Sequence, residues 1–156
     1  MTAEDRMKTE LFLDEGYSPD PRFCAGRLTT GVGRDLDGNP LTAAEVAVVG
    51  HDGRNKTISR GAAAYLLEND IKNIVRRLDA ATSRWKTLDE VRRRALVNMT
   101  LAGLPEIEAL LATVEAGDWE AASRTVLDSA WAQQAAHRAR KVAHMLRHGM
   151  TQEILE

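Results

Sequence analysis

Asp14-Glu15-Gly16, followed by Phe23-Cys24-Ala25-Gly26-Arg27-Leu28-Thr29-Thr30-Gly31-Val32-Gly33-Arg34, decides how the rest of the chain is read. The first triplet ends a helix. Thr2 and Asp5 have the spacing of a capping arrangement, Met7 and Leu11 fall on one helical face, and Gly16 stands where a left-handed cap closes a helix. Glu15 therefore sits at the carboxyl end, where the helix dipole disfavours an ionised carboxylate, a setting that suits a proton donor. The alternative reading is an ordinary solvated glutamate. The second stretch reads as a short hairpin strand interrupted by glycines, and Gly31 and Gly33 let another group approach the backbone closely. Gly31-Val32-Gly33 lacks the third glycine and the preceding apolar strand of a dinucleotide fingerprint, so a nucleotide site is not indicated.

Beyond this segment the pattern is helical. Thr42 and Glu45 form a capping box for a short helix closed by Gly50. Ser59 caps a long helix whose apolar face carries Ala63, Leu66, Leu67, Ile71, Ile74, Val75 and Leu78. Thr87 and Glu90 are read as a further capping box, Pro105 as the start of a helix that Gly117 ends, Asp118 and Ser129 as caps of two more, and Gly149 as the last stop. The fold class expected is α+β, predominantly α-helical, with a small hairpin near the amino terminus. At 156 residues, without repeats or low-complexity runs, a single domain is expected.

A net charge of −2 gives the chain no general attraction for nucleic acid or membrane. Residues 129–149 are locally basic: Arg138, Arg140, Lys141 and Arg147 occur there without an acid, beside His137, His144 and His148. Such a helix suits anionic polymers or lipid headgroups, or simply places cations near its own carboxyl end. Arg92-Arg93-Arg94 point in different directions on a helix and are read as a solvated face. Trp119 is assigned to the core, and Trp131 to either the core or sugar stacking. Cys24 is the only cysteine, which excludes an intrachain disulfide; a buried small hydrophobe is the plainer reading of it. Met1 to Lys8 lack a signal peptide's apolar core and no run reaches transmembrane length, so folding in a cytoplasm is expected.

The spacing Glu15, eight residues, Cys24, then Thr29 in a glycine-bearing hairpin resembles the phage-type lysozymes and endolysins of glycoside hydrolase family 24, which carry Glu, then Asp or Cys, then Thr in a Thr-Ile-Gly-x-Gly hairpin. The resemblance continues through Leu36 with Pro40-Leu41-Thr42, Tyr65 to Ile71, Leu88 to Met99, Gly117-Asp118-Trp119, and Asp128 to Trp131 with Arg138-Ala139. It implies a two-lobe lysozyme-like fold: a small lobe at about 15–58, a linking helix at about 60–80, and a helical lobe at about 81–150 joined by the N-terminal helix, all within one domain, 1–156.

It further implies an inverting N-acetylmuramidase without metal or cofactor, with Glu15 donating the proton and Cys24 and Thr29 holding the attacking water. A thiol is a poorer base than a carboxylate near neutrality, so Cys24 is assigned more to positioning than to activation. Asp35 is implied as a substrate contact, Arg138 as a partner of the acid, and Arg34 as the ion-pair partner of Asp70. Two departures from the family pattern are visible. Only Ala25 separates Cys24 from Gly26, where two residues are usual, which makes Thr30 the fallback for Thr29. The segment Thr100 to Gly103 is short and lacks an aromatic residue, which keeps a non-catalytic or weakly active wall-binding phage structural protein as the alternative. The partner implied is bacterial peptidoglycan, met by a monomer that binds no nucleic acid and does not insert stably in a membrane. It would act on periplasmic peptidoglycan after a holin releases it from the host cytoplasm.

Overall fold

A computed structural model describes residues 1–149; the domain bounds expected at 150 and 156 lie outside them. The chain forms two compact units, Met1–Lys72 and a second beginning at Asn73, and the division falls inside one long helix. The architecture is α+β and predominantly helical.

The first unit starts with α1 (Ala3–Glu15), whose N-terminus carries the expected capping box between Thr2 and Asp5. Gly16 ends it at φ 75° and ψ 151°, donating its N–H to Phe12 O. That conformation is open essentially only to glycine, although it is extended rather than the left-handed cap expected. Three strands follow: β1 (Ser18–Cys24), β2 (Arg27–Gly31) and β3 (Arg34–Asp35), antiparallel in that order. α2 (Ala43–Val49) has the Thr42–Glu45 capping box and closes on left-handed Gly50. α3 (Arg60–Ala81) begins where Ser59 Oγ accepts from Ala62 N. Met7, Leu11, Val32, Leu36, Ile58, Leu66 and Leu67 are buried in this unit. α1 falls within this unit as well.

The shortened link after Cys24 has a simple structural consequence. Cys24 pairs with Arg27, so the hairpin loop is just Ala25-Gly26, with φ 50° and 77°. Positive φ at both central residues is the signature of a type I′ turn, which follows the natural strand twist and favours Asn or Gly first. Alanine is strained there by about 1 kcal/mol. Ala25→Asn is therefore expected to raise the stability of the protein by roughly 0.5–1 kcal/mol in urea unfolding; an unchanged or lower midpoint counts against the turn assignment.

In the second unit a 3-10 turn (Trp85–Thr87) precedes α4 (Glu90–Leu101), then come α5 (Ile107–Glu115), α6 (Trp119–Leu127), α7 (Ala130–Gln134) and α8 (Ala136–His148). α8 packs on α4, α6 and α7, burying Val142, Met145 and Leu146 with Leu96, Met99 and Val126. Three details differ from the sequence reading. Asp89 caps α4 through Arg92 N, while the Thr87 hydroxyl donates to Arg84 O inside the 3-10 turn. Pro105 lies two residues before α5 begins. The late helix is broken at Ala135, at φ −126° and ψ 52°, into α7 and α8.

The arginine run is not a solvated face. Arg92 donates to Leu146 O and Arg147 O, completing the carboxyl end of α8, and lies 4.0 Å over the Trp119 ring. Arg93 donates to Trp85 O and Lys86 O, and Arg94 is buried. Helix ends leave carbonyls without intrahelical partners, and these guanidinium groups satisfy several of them. Trp119 is half-buried under Arg92, and Trp85 is the buried tryptophan. Among the described residues no helix is long and apolar enough to cross a membrane.

Candidate functional site

In the first unit, the last residue of α1 meets the turn between β2 and β3. Gly33 has φ 68°, and a Cβ placed on it would lie 2.8 Å from Glu15 Oε2, 3.0 Å from Cδ and 3.3 Å from Cγ. The Glu15 carboxylate thus lies directly on the bare Cα of Gly33 and is half-buried, not an ordinary solvated surface group. This is the close approach that the glycines of the hairpin make possible.

The strand register sorts the remaining candidates by face. Arg22 pairs with Thr29, Cys24 with Arg27, and Thr29 with Asp35, so these five residues share one face of the sheet. Thr29 is half-buried and its hydroxyl donates to Arg22 O at 3.1 Å. Its proton is committed there, which leaves the oxygen as an acceptor facing the same side as Cys24. Cys24 is exposed, so the buried-hydrophobe reading does not hold. Thr30 pairs with Arg34 on the opposite face and is 1% exposed, which removes it as a substitute for Thr29. Its hydroxyl has no hydrogen-bond partner among the described residues.

Asp35 is tied into the hairpin. Its Oδ2 accepts from Arg27 Nε at 2.7 Å, and its Oδ1 accepts from the N–H groups of Asp37 and Gly38. Burial opposes its ionisation, but the Gly38 N–H and the Arg27 guanidinium outweigh this and hold the carboxyl below its ordinary range. Both oxygens thus already serve the turn, whatever a substrate adds.

Arg34 and Asp70 are paired at 3.0 Å, and the pair belongs to a larger cluster. The Arg34 side chain uses every donor it has: Nε to Asn39 O, Nη1 to Glu45 and Asp70, Nη2 to Glu45 and Pro40 O. Glu45, at 2.7 Å, is its nearer acid, and no sequence signal named it as such, because its capping-box role already accounted for it. Asn39 and Asn69 donate further amide bonds to Asp70 and Glu45. Burial opposes ionisation of Glu45, yet the bonds from Arg34, Thr42 N and Asn69 hold its carboxyl down at about 2 from 4.5. Asp70 is the opposite case. Burial pushes it up from 3.8 to about 6, with Arg34 opposing and the neighbouring Glu45 adding to the rise.

These shifts set a pH dependence with a definite sign. A folded-state value below the unfolded one stabilises above the unfolded value, so the Glu45 contribution is complete above 4.5 and lost as pH falls toward about 2. A folded-state value above the unfolded one does the reverse, so ionising Asp70 costs stability as pH rises from 3.8 to about 6. Thermal melts across this range are expected to show greatest stability at roughly pH 4–5. Asp70→Asn should flatten the decline on the alkaline side. A decline that persists unchanged in Asp70→Asn assigns it to another group.

Arg60 stacks over the rings of Phe12 and Tyr17 beside an open depression lined also by Asp5, Lys8, Thr9 and Leu13, and none of the candidate residues lines it. In the second unit, Arg138 Nε donates to the fully buried Asn98 side chain at 2.8 Å and its guanidinium lies 5.6 Å over the half-buried Trp131 ring. Among the described residues no group of three or more His, Cys, Asp or Glu is placed to hold a metal ion.

No family model matches the chain. Among curated proteins it is similar to the pre-baseplate central spike protein Gp5 of Enterobacteria phage T4, at 28% identity over 129 residues. The match covers 78% of this chain but only 20% of that protein's length. The chain thus spans about one fifth of the length of the spike protein it resembles.

Proposed function

We propose that the chain is a lysozyme-like glycoside hydrolase, an N-acetylmuramidase that cleaves the β-1,4 bond between N-acetylmuramic acid and N-acetylglucosamine in bacterial peptidoglycan. The observation that carries this reading is the seating of the Glu15 carboxylate on Gly33, in the turn that follows the strand bearing Thr29. In this reading Glu15 protonates the leaving glycosidic oxygen. Thr29, its own proton given to Arg22 O, accepts a hydrogen from a water molecule and turns that water's lone pair toward the anomeric carbon. The exposed Cys24 thiol adds a second contact to the same water; its attack on the face opposite the acid inverts the configuration, the proton it sheds passes to bulk solvent, and solvent reprotonates Glu15. Asp35 as a substrate contact and Arg138 as a partner of the acid belong to the same proposal.

The likeness to a central spike protein favours a second reading, a wall-binding structural domain of the phage particle. It also supports delivery with a particle over release through a holin. Incubation with purified peptidoglycan separates the two readings. The hydrolase reading expects new reducing ends, located at N-acetylmuramic acid by muropeptide analysis. The structural reading expects retention on insoluble peptidoglycan with no new ends.

A further inference from the structure

We propose that Gly33 is the positioning residue for Glu15: the space its missing side chain leaves is the seat of the carboxylate. This rests on the hydrolase reading for its functional meaning. Positive φ is not the whole account of the glycine here: Gly16, Gly26 and Gly50 also have positive φ, but a Cβ on any of them would meet nothing within 4 Å. At Gly33 the three nearest atoms are Oε2, Cδ and Cγ of one residue, Glu15. At 2.8–3.3 Å no methyl group fits beside them. The obstructing atoms are the far end of a flexible side chain, so a methyl group at position 33 is accommodated by moving the carboxylate while the surrounding fold stays in place. A proton donor displaced by about 1 Å loses on the order of 100-fold in turnover, since general acid catalysis depends on hydrogen-bond reach to the leaving oxygen.

The test compares Gly33→Ala with Gly50→Ala, which carries the same kind of backbone strain in open space. Both are expected to lower the melting temperature by similar amounts. The Glu15 carboxyl carbon, followed by NMR of the labelled protein, should change its chemical shift in Gly33→Ala and keep it in Gly50→Ala. With peptidoglycan as substrate, kcat should fall about 100-fold in Gly33→Ala with KM nearly unchanged, and Gly50→Ala should keep the parent kcat. An unchanged Glu15 resonance in Gly33→Ala overturns the seat. A displaced resonance with undiminished kcat leaves the seat standing and removes Glu15 as the acid. A parent protein without turnover removes the hydrolase reading, and the NMR comparison then decides the seat alone.

Discussion

Arg34→Met is expected to destabilise the protein by roughly 3–5 kcal/mol at neutral pH, the usual consequence of leaving buried charge without its partner. Arg34, Glu45 and Asp70 are 3%, 3% and 5% exposed, so water cannot replace the lost cation. All the donors of the guanidinium are in use, and methionine supplies none of them. Against a typical total of about 5–15 kcal/mol, such a loss is large enough to unfold a marginal unit. Lysine at this position keeps the charge but not the planar fork that spans Glu45 and Asp70, so Arg34→Lys should fall between the two. The penalty should also shrink at about pH 4, where Asp70 is protonated and only one uncompensated carboxylate remains. Urea unfolding at two pH values checks both statements. A midpoint for Arg34→Met close to that of the parent at neutral pH would show that the cluster relaxes or hydrates. Buried ion pairs are weak contributors against an apolar replacement, so a variant with all three residues made apolar should recover much of the loss.

The same residues show what the sequence made legible. Capping is local, and Thr2 with Asp5, Thr42 with Glu45, Ser59, Asp118 and Ser129 all cap the helices expected of them. Glu15 at the end of α1 follows from Gly16 for the same reason. Long-range partners leave no such local mark. The capping box fully accounts for Glu45 in sequence, so its second role toward Arg34 leaves no mark in its neighbours. Arg92 reaches carbonyls 54 and 55 residues away, a contact that no helical periodicity can announce. β1 contains Pro19 and Pro21 and a register irregularity between Ser18 and Arg22, so its strand character comes from pairing with β2 and not from propensity. No glycine or proline marks the break at Ala135. In the site, the spacing of Glu15, Cys24 and Thr29 was readable, whereas the seat on Gly33 depends on where a helix end meets a turn.

Glu15→Gln is expected to lower the rate of reducing-end release by about 10²–10⁴-fold, the usual contribution of a positioned general acid. Each factor of ten corresponds to about 1.36 kcal/mol of barrier, so the loss is roughly 3–5 kcal/mol of transition-state stabilisation. The amide keeps the length and nearly the shape of the carboxyl, so it fits the same place against Gly33. What it lacks is an acidic proton to give to the leaving oxygen. Retention on insoluble peptidoglycan should therefore survive while turnover disappears, which separates a lost proton from a lost binding surface. Thr29→Ala should cost less, because it removes an acceptor for water whose place another water can partly fill. Clearing of outer-membrane-permeabilised Gram-negative cells gives an independent readout of the same ranking. Equal clearing by the parent and Glu15→Gln removes Glu15 as the acid. Retention by both without new reducing ends turns the site on Gly33 from a catalytic feature into a part of a wall-binding surface.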